Sequence, residues 1–277
     1  MREPGPRPSP KKKMQTPRLR AAHALDPPPS AGPPGEITIA PLLDLDPGLG
    51  HALTPALHDQ VRPWLVVPVW PLRRGPWPSN LTSSPGTMGL LLLDGVVTRS
   101  ARLGRVAYPE LLGVGDLIRP WEAGGISGPL AVHVDWQVIE PARVAVLDQR
   151  FAALVGRWPE IVDELVGRAM HRADELDLQL AIAQLPLLEL RLHALMWHVA
   201  GRWGVPGDDG VLIPVRLTHS LLSALVLGRR SSTSRAINAL ERRGLLEQTP
   251  GGWTLRGDPP SELHTLTRRD AHLGLDG

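Results

Sequence analysis

Apolar positions in residues 217–246 recur at helical spacing and predict two short helices joined by a turn. Thr218 can cap the first helix, because its hydroxyl accepts from free backbone amides. Gly228 is expected to end that helix and Gly244 the second, since glycine adopts the left-handed conformation at low cost. The apolar stripes are Leu221, Leu222, Leu225 and Val226, followed by Ala236, Ile237 and Leu240. The pattern is that of a helix-turn-helix.

The second helix, predicted over about residues 229–243, begins with arginines and small hydroxyl residues instead of strong helix formers. Ser and Thr compete with helical hydrogen bonds, so helix stability does not favour four of them in succession. Small side chains let a helix start approach phosphates and base edges, and arginine can donate two hydrogen bonds to guanine. The segment therefore indicates a helix that reads DNA in the major groove. The alternative is a capped surface helix with solvated arginines.

A β-hairpin is predicted directly after this helix. Residues 245–249 and 253–256 read as short strands around Pro250-Gly251-Gly252, which is the position of a wing. Residues 216–256 contain seven arginines and two glutamates, hence a local charge of +5, whereas the whole chain carries +2. The positive excess therefore lies where phosphates would bind.

Upstream, residues 36–147 show short strands separated by turn signals, which predict a small barrel or jelly roll. Leu90–Leu93 runs into Asp94-Gly95 and then into Val96-Val97-Thr98, so a hairpin is expected there. Val132–Val134 and Val144–Leu147 are expected to be separate later strands. A short helix is predicted near Pro55–Arg62.

Helical periodicity takes over at residue 148, and Pro159 fits the first turn of a new helix. The long apolar stripe that begins at Ile161 predicts a helix that packs against its copy in a second subunit, or alternatively only covers its own barrel. A further helix follows Pro186, then a loop over 203–207 and a strand over 211–215. The predicted organisation is a disordered tail or a translation start placed too early (1–35), a β-roll (36–147), a dimerisation helix (148–185), a winged helix-turn-helix (186–257) and a tail (258–277).

The amino-acid composition excludes several kinds of functional site. The 277 residues include no cysteine, which excludes thiolate iron–sulfur clusters and cysteine nucleophiles. No apolar run is long enough for a membrane span and no signal peptide is recognisable, so we expect a cytoplasmic protein without membrane contact. No pattern indicates an enzyme. Asp44/Asp46 and Asp135/Glu140 are isolated acids, and His193 and His198 are five residues apart, not the four that would present two metal ligands together.

The order of parts resembles the Crp/Fnr family of bacterial transcription regulators. Residues 110–118, ELLGVGDLI, are similar to a strand and turn of that family, and residues 239–246, ALERRGLL, to the end of its helix-turn-helix. Residues 178–185 and 191–198 are typical of its actinobacterial members. The resemblance implies an α+β protein with a cyclic-nucleotide-binding-like β-roll, a long dimerisation helix and a C-terminal winged helix-turn-helix.

The resemblance also implies which residues contact DNA. The family's base-reading positions fall on Arg230, Ser231 and Arg235, and its phosphate-contacting position at the first motif helix falls on Thr218. Three neighbours can contact base edges or phosphate, namely Arg229, Ser232 and Ser234. The implied partners are double-stranded DNA and a second copy of the chain, and RNA polymerase is a further candidate.

The sensor half departs from the cyclic-nucleotide pattern. Family members that bind cyclic nucleotides follow the Gly-Asp turn with Gly-Glu and later carry an arginine for the phosphate. Here Arg119-Pro120-Trp121 follows the turn, and residues 124–138 contain no arginine. We therefore predict no cofactor and no cyclic AMP binding. A haem held by His133 or His51 is an alternative, although a lone histidine is more commonly structural.

Two function classes follow from these patterns. The first is a homodimeric, sequence-specific transcription regulator whose β-roll has an unknown effector or none. The second is a β-roll and winged-helix protein that acts through protein contacts without binding DNA.

Overall fold

A computed structural model of the chain describes residues 36–78, 81, 86–104, 106–121, 130, 132–261 and 263. The predicted tails at 1–35 and, except for 258–261 and 263, at 258–277 lie outside the described residues. The fold is a mixed α+β arrangement with an antiparallel β-roll, a long helix and a winged helix-turn-helix.

The β-roll contains seven antiparallel strands in the order β1-β2-β7-β4-β5, with β3 paired to β7 and β6 paired to β4. Their bounds are β1 Thr38–Pro41, β2 Val66–Leu72, β3 Gly75–Pro76, β4 Gly89–Leu103, β5 Val106–Leu112, β6 Leu117–Ile118 and β7 Val132–Leu147. Helices α1 Leu42–Leu45 and α2 Pro55–Val61, with a 3-10 helix at Pro47–Gly50 between them, lie between β1 and β2.

Burial on both faces of the sheet explains the run of four leucines in β4. Leu90 and Leu92 lie in the core inside the roll, with Val138, Val144 and four partly buried tryptophans. Leu91 and Leu93 point the other way, into a core shared with the flanking helices. A strand that is covered on both sides reads as a continuous apolar run instead of an alternating one.

The predicted hairpin at Asp94-Gly95 is wrong, because β4 continues through it as one strand of 15 residues. Gly95 takes a left-handed φ of +77° inside a bulge where the register between β4 and β7 shifts. A Cβ at Gly95 would lie 2.3 Å from the carbonyl oxygen of Pro141. The glycine therefore marks a bulge beside a closely approaching partner strand. The two predicted late strands are likewise one strand, β7, of 16 residues.

Three helices follow the roll, α3 Gln149–Val155, α4 Pro159–Gln184 and α5 Leu188–Trp203. The inner face of α4 docks on β5 through a two-pronged ion pair, in which Arg172 Nε and Nη2 donate to the Glu110 carboxylate at 2.6 and 2.9 Å. Gln179 Nε2 donates to the Pro109 carbonyl at 2.9 Å. In the described part of the chain, no helix has both the length and the apolarity needed to cross a membrane.

The C-terminal part carries a second sheet and the two motif helices. Its elements are β8 Val205–Gly207, β9 Gly210–Ile213, α6 His219–Leu225, α7 Arg230–Arg242, β10 Leu246–Thr249 and β11 Gly252–Leu255, and the sheet order is β10-β11-β9-β8. The expected loop over 203–207 thus contains β8, which pairs with β9. Val96 and Leu111 of the roll share one apolar core with Leu222, Leu225 and Ile237, so the winged helix packs directly on the roll.

Candidate nucleic-acid interface

The turn between α6 and α7 is built by Leu227 and Gly228 together. Thr218 caps α6 as predicted, with its Oγ1 accepting from Leu221 N at 3.2 Å. The expectation that Gly228 takes the left-handed conformation is wrong, because Leu227 takes it, at φ +50°. Gly228 serves a different purpose. A Cβ there would lie 2.7 Å from Thr233 Oγ1, so glycine lets the chain pass close to α7.

Helix α7 has one buried face and one outward face. Thr233, Ala236, Ile237 and Leu240 are at most 4% exposed and form the inner face. Opposite them, a ridge of exposed side chains follows the helical spacing i, i+4, i+7 and i+11. This outward ridge consists of Ser231, Arg235, Asn238 and Arg242. A ridge of small, amide and guanidinium groups is chemically suited to base edges and phosphates.

The hydroxyl residues at the start of α7 have different roles. Thr233 is fully buried and its Oγ1 donates to the Arg229 carbonyl at 3.2 Å, so it belongs to the core. Ser234 Oγ lies 3.2 Å from His219 Nδ1, a hydrogen bond that joins α6 to α7. Of the four hydroxyl residues, only Ser231 is exposed.

Ser232 supports a neighbour on α7. Its Oγ accepts from Arg235 Nη2 at 3.3 Å, and Ser232 itself is half-buried. Ser232 is therefore hydrogen-bonded within the protein.

The N-terminus of α7 is free to receive an anion. Arg229 occupies the N-cap position in an extended conformation, and its side chain makes no capping hydrogen bond. The first amides of a helix have no acceptor within the helix and carry its positive partial charge. Arg229 and Arg230 are exposed beside them, and neither forms an ion pair with a described residue. This helix end therefore suits a phosphate group.

The predicted wing is confirmed as a hairpin, with β10 and β11 paired from Leu246↔Leu255 to Thr249↔Gly252. Trp253 is 1% exposed, and its indole Nε1 donates to the Leu217 carbonyl at 3.0 Å. The Trp253 ring lies 6.0 Å from the His219 ring, which holds Ser234. The wing and α7 are thus oriented through one chain of contacts.

Two residues of the outward ridge were not among the DNA-contacting residues predicted from the sequence. Asn238 and Arg242 lie one and two turns beyond Arg235 on the same exposed face. Helical spacing continued past Arg235 would have found them. Arg256 was counted in the positive charge of the segment, but it is paired with an acidic residue: its Nη2 donates to Glu247 Oε2 at 2.6 Å.

The isolated acids of the roll are held in ion pairs with arginines. The pairs are Asp44–Arg62, Asp46–Arg168, Asp135–Arg102 and Glu140–Arg74. Arg62 lowers the pKa of the Asp44 carboxyl through its hydrogen bond. Such paired carboxylates are structural links instead of free acid or base groups.

The histidines of the sequence analysis are also engaged. Trp197 Nε1 donates to His193 Nε2 at 3.1 Å, while His198 Nε2 lies 3.4 Å from Glu175. His51 and His133 are mostly exposed and face Glu164 and Asp135. Within the described ranges, no three His, Asp or Glu side chains are grouped to hold a metal ion.

The Gly113–Asp116 turn of the roll contacts α5. Asp116 Oδ2 accepts from Gly113 N at 2.7 Å and forms an ion pair with Arg202. Burial raises the pKa of Asp116, and Arg202 opposes that rise. Arg119 Nε donates to the Met88 carbonyl at 2.7 Å. Residues 124–129 and 131 of the arginine-free segment 124–138 lie outside the described residues.

No protein-family model matches the sequence, and no curated protein matches it. Solved structures do match. A CooA mutant from Carboxydothermus hydrogenoformans aligns with a TM-score of 0.54 at 14% identity, over 80% of this chain and 95% of that one. A CRP/FNR-family transcriptional regulator from Thermus thermophilus aligns with a TM-score of 0.52 at 17% identity, over 72% and 98%.

A cyclic nucleotide-binding domain containing protein from Listeria monocytogenes EGD-e aligns with a TM-score of 0.55 at 12% identity, over 76% of this chain and 96% of that one. The three alignments cover nearly the full length of the matched chains. At these identities they show a shared fold, that of a cyclic-nucleotide-binding-like roll joined to a helix-turn-helix.

Proposed function

We propose that this chain is a Crp/Fnr-family transcription regulator, not an enzyme, that binds DNA sequence-specifically as a homodimer. The observation that carries the proposal is the start of α7: an uncapped helix end with exposed Arg229 and Arg230, continued by an outward ridge and followed by a wing. The shared fold with a CRP/FNR-family regulator supports it.

The predicted contact residues divide by role under this proposal. Arg230, Ser231 and Arg235 contact base edges, and Arg229 contacts phosphate. Thr218 is exposed while its hydroxyl caps α6, so it is placed for the phosphate on the flanking turn. Ser232 and Ser234 position their neighbours, because both are half-buried and hydrogen-bonded.

Mobility shift on genomic fragments recovered with the parent protein tests this function. Arg230→Ala and Arg235→Ala should each weaken binding by about 1–3 kcal/mol, the value of one arginine–guanine pair. Arg157→Ala is the matched control, because Arg157 is exposed in the turn between α3 and α4 and is not part of the helix-turn-helix. If both α7 variants bind like the control, the assignment of α7 as recognition helix is wrong.

The salt dependence separates this function from protein contacts alone. Affinity for DNA should fall with salt at a log–log slope of about −0.9 per phosphate neutralised. A protein without salt-sensitive retention on DNA would instead support the alternative, in which the winged helix binds another protein.

The outer face of α4 supports the homodimer. Ile161 and Leu165 are buried against the roll, whereas Val166, Met170 and Leu178 are 52%, 65% and 50% exposed. Packing on the roll therefore leaves these three apolar side chains of α4 exposed, and a second copy of α4 would bury them. Sedimentation velocity should show a dimer for the parent and a monomer for Met170→Glu, and a monomeric parent would refute the dimer.

We also propose that cyclic AMP is not the effector. Arg119 follows the Gly-Asp turn, and its Nε donates to a backbone carbonyl. Leucines and tryptophans occupy the roll interior. Calorimetric titration with cyclic AMP should give no binding heat, and saturable binding would contradict this point.

A further inference from the structure

We propose that Asn238 is a specificity-determining residue that reads an adenine in each half-site, about one base-pair step beyond the base contacted by Arg235. The inference rests on the proposed function and deepens it. It adds to the recognition helix a residue that helix stability does not explain, since asparagine is a poorer helix former than alanine.

Position on α7 is the first argument. Asn238 lies on the outward ridge with Ser231 and Arg235, directly opposite the buried Ile237 and Leu240 side of the helix. Three residues advance a helix by about 4.5 Å, slightly more than the rise of about 3.4 Å per base pair. When the start of α7 lies in the major groove, Asn238 faces the neighbouring base pair.

The chemistry of the side chain is the second argument. A carboxamide presents one donor and one acceptor side by side. Adenine offers the complementary pair in the major groove, an N6 donor and an N7 acceptor, whereas guanine offers two acceptors. Asparagine therefore selects adenine, and the arginines of the same ridge select guanine. An uncharged amide adds no long-range attraction to phosphate, so Asn238 acts on sequence preference.

The proposal rests, third, on the exposed and unengaged carboxamide of Asn238. Asn238 is exposed, and its carboxamide forms no hydrogen bond with a described residue. Its backbone carbonyl accepts from Arg242 Nε at 3.3 Å, which holds Arg242 at the far end of the ridge. The neighbours Ser232 and Ser234 are engaged within the protein, but the Asn238 amide is free to pair with a base.

Selection from randomised double-stranded DNA with the full-length protein tests this assignment. Four proteins are compared: the parent, Asn238→Ala, Asn238→Asp and Gln184→Ala. Asp has nearly the same shape as Asn but only accepts hydrogen bonds, so it favours cytosine N4 over adenine. Gln184 is the matched control, because it is an exposed amide at the end of α4. Thermal unfolding of each variant checks that it is folded.

We expect the parent and Gln184→Ala to select the same two-fold symmetric site. Asn238→Ala should lose the preference for one adenine per half-site by about 5- to 150-fold, with the other positions unchanged. Asn238→Asp should move that preference towards cytosine.

Two results would overturn the inference alone. Asn238→Ala retaining every base preference of the parent would do so, as would an even loss of affinity over all sequences, which indicates a phosphate contact. A parent that enriches no discrete site would refute the proposed function itself and this inference with it.

Discussion

The carboxylate of Asp116, in a turn of the β-roll, forms an ion pair with the guanidinium of Arg202 near the end of α5. Their side chains are only 7% and 20% exposed. The next residue, Trp203, packs against the same turn, since a Cβ at Gly113 would lie 2.7 Å from its indole Nε1. Asp116 and Arg202 therefore join the β-roll to α5, the first helix of the predicted winged helix-turn-helix domain.

Arg202→Met should destabilise the protein strongly at neutral pH. Removing one partner of a buried pair leaves an uncompensated charge, which costs about 3–5 kcal/mol. The measurement is the free energy of unfolding from urea denaturation. Arg62→Met is the control, because Arg62 and Asp44 form a far more exposed pair, and such surface pairs contribute little to stability. Equal effects of the two substitutions would contradict a coupling role for Arg202.

The pH dependence of unfolding should reveal Asp116. Burial raises its pKa in the folded state above the usual 3.8. A raised carboxyl pKa contributes stability below pH 3.8, and this contribution is lost as the pH rises through the folded-state value. Asp116→Asn should therefore remove a decline in the free energy of unfolding above pH 3.8. Parallel pH profiles of parent and variant would refute this assignment.

His198 should produce a pH dependence of the opposite sign. Burial lowers its pKa below the usual 6.5, Glu175 opposes the shift, and Arg202 adds to it. The cleft around it is also lined by Arg168, His171, Asp46 and Asp116. Because the folded-state pKa is depressed, stability is present above pH 6.5 and is lost as the pH falls through the folded-state value.

The measurement for His198 is urea denaturation at pH values from above 6.5 downward. His198→Gln should flatten the decline that the parent shows in this range. His133→Gln is the control, since His133 is 74% exposed. A decline that persists in His198→Gln would assign it to another group.

Local sequence rules predicted the helices and the wing well, because their signals lie within a few residues. Thr218 caps α6, and Ala236, Ile237 and Leu240 form the inner face of α7. The same rules failed at Asp94-Gly95, where the deciding contact is with Pro141, far along the chain. A glycine that permits a close approach between strands has the same local sequence as one in a hairpin turn.

At the candidate site, too, the sequence predicted the location from local signals but not the role that packing gives each side chain. Arginine content and hydroxyl residues pointed to the start of α7, but four adjacent hydroxyls looked alike in the sequence. Only packing separates Thr233, which is fully buried, from Ser231, which is exposed. The hydrogen bond between Ser234 and His219 spans 15 residues and has no local signature.

Gly95→Ala should destabilise the β-roll more than a glycine substitution at a turn with open space. Gly104 also has a positive φ, +59°, but no atom of the described residues lies within 4 Å of its potential Cβ. We expect Gly104→Ala to cost about 1 kcal/mol from backbone conformation alone. Gly95→Ala adds the clash with Pro141 and should cost about 3 kcal/mol or more. Equal unfolding free energies of the two variants would argue against the bulge as a packing constraint.

Substitutions of the two residues in the turn between α6 and α7 should have different effects on stability. Leu227 is 48% exposed in the left-handed conformation, which costs a non-glycine residue about 1–2 kcal/mol. Leu227→Gly relieves this strain but gives up about 0.5–1 kcal/mol in backbone entropy, so it should be neutral or slightly stabilising. Gly228→Ala places a methyl group 2.7 Å from Thr233 Oγ1 and 3.0 Å from Leu188 Cδ1.

Thr233 is fully buried, and Leu188 is half-buried against the same core. Gly228→Ala should therefore cost about 1–3 kcal/mol and tilt the start of α7. Thermal unfolding of both variants tests the effect on stability, and their DNA affinity tests the effect on the orientation of α7. Gly228→Ala should lower both the midpoint and the affinity, because Arg229 and Arg230 directly follow the strained contact. A Leu227→Gly variant that is the less stable of the two would show that the leucine side chain, not the close approach at Gly228, holds the two helices together.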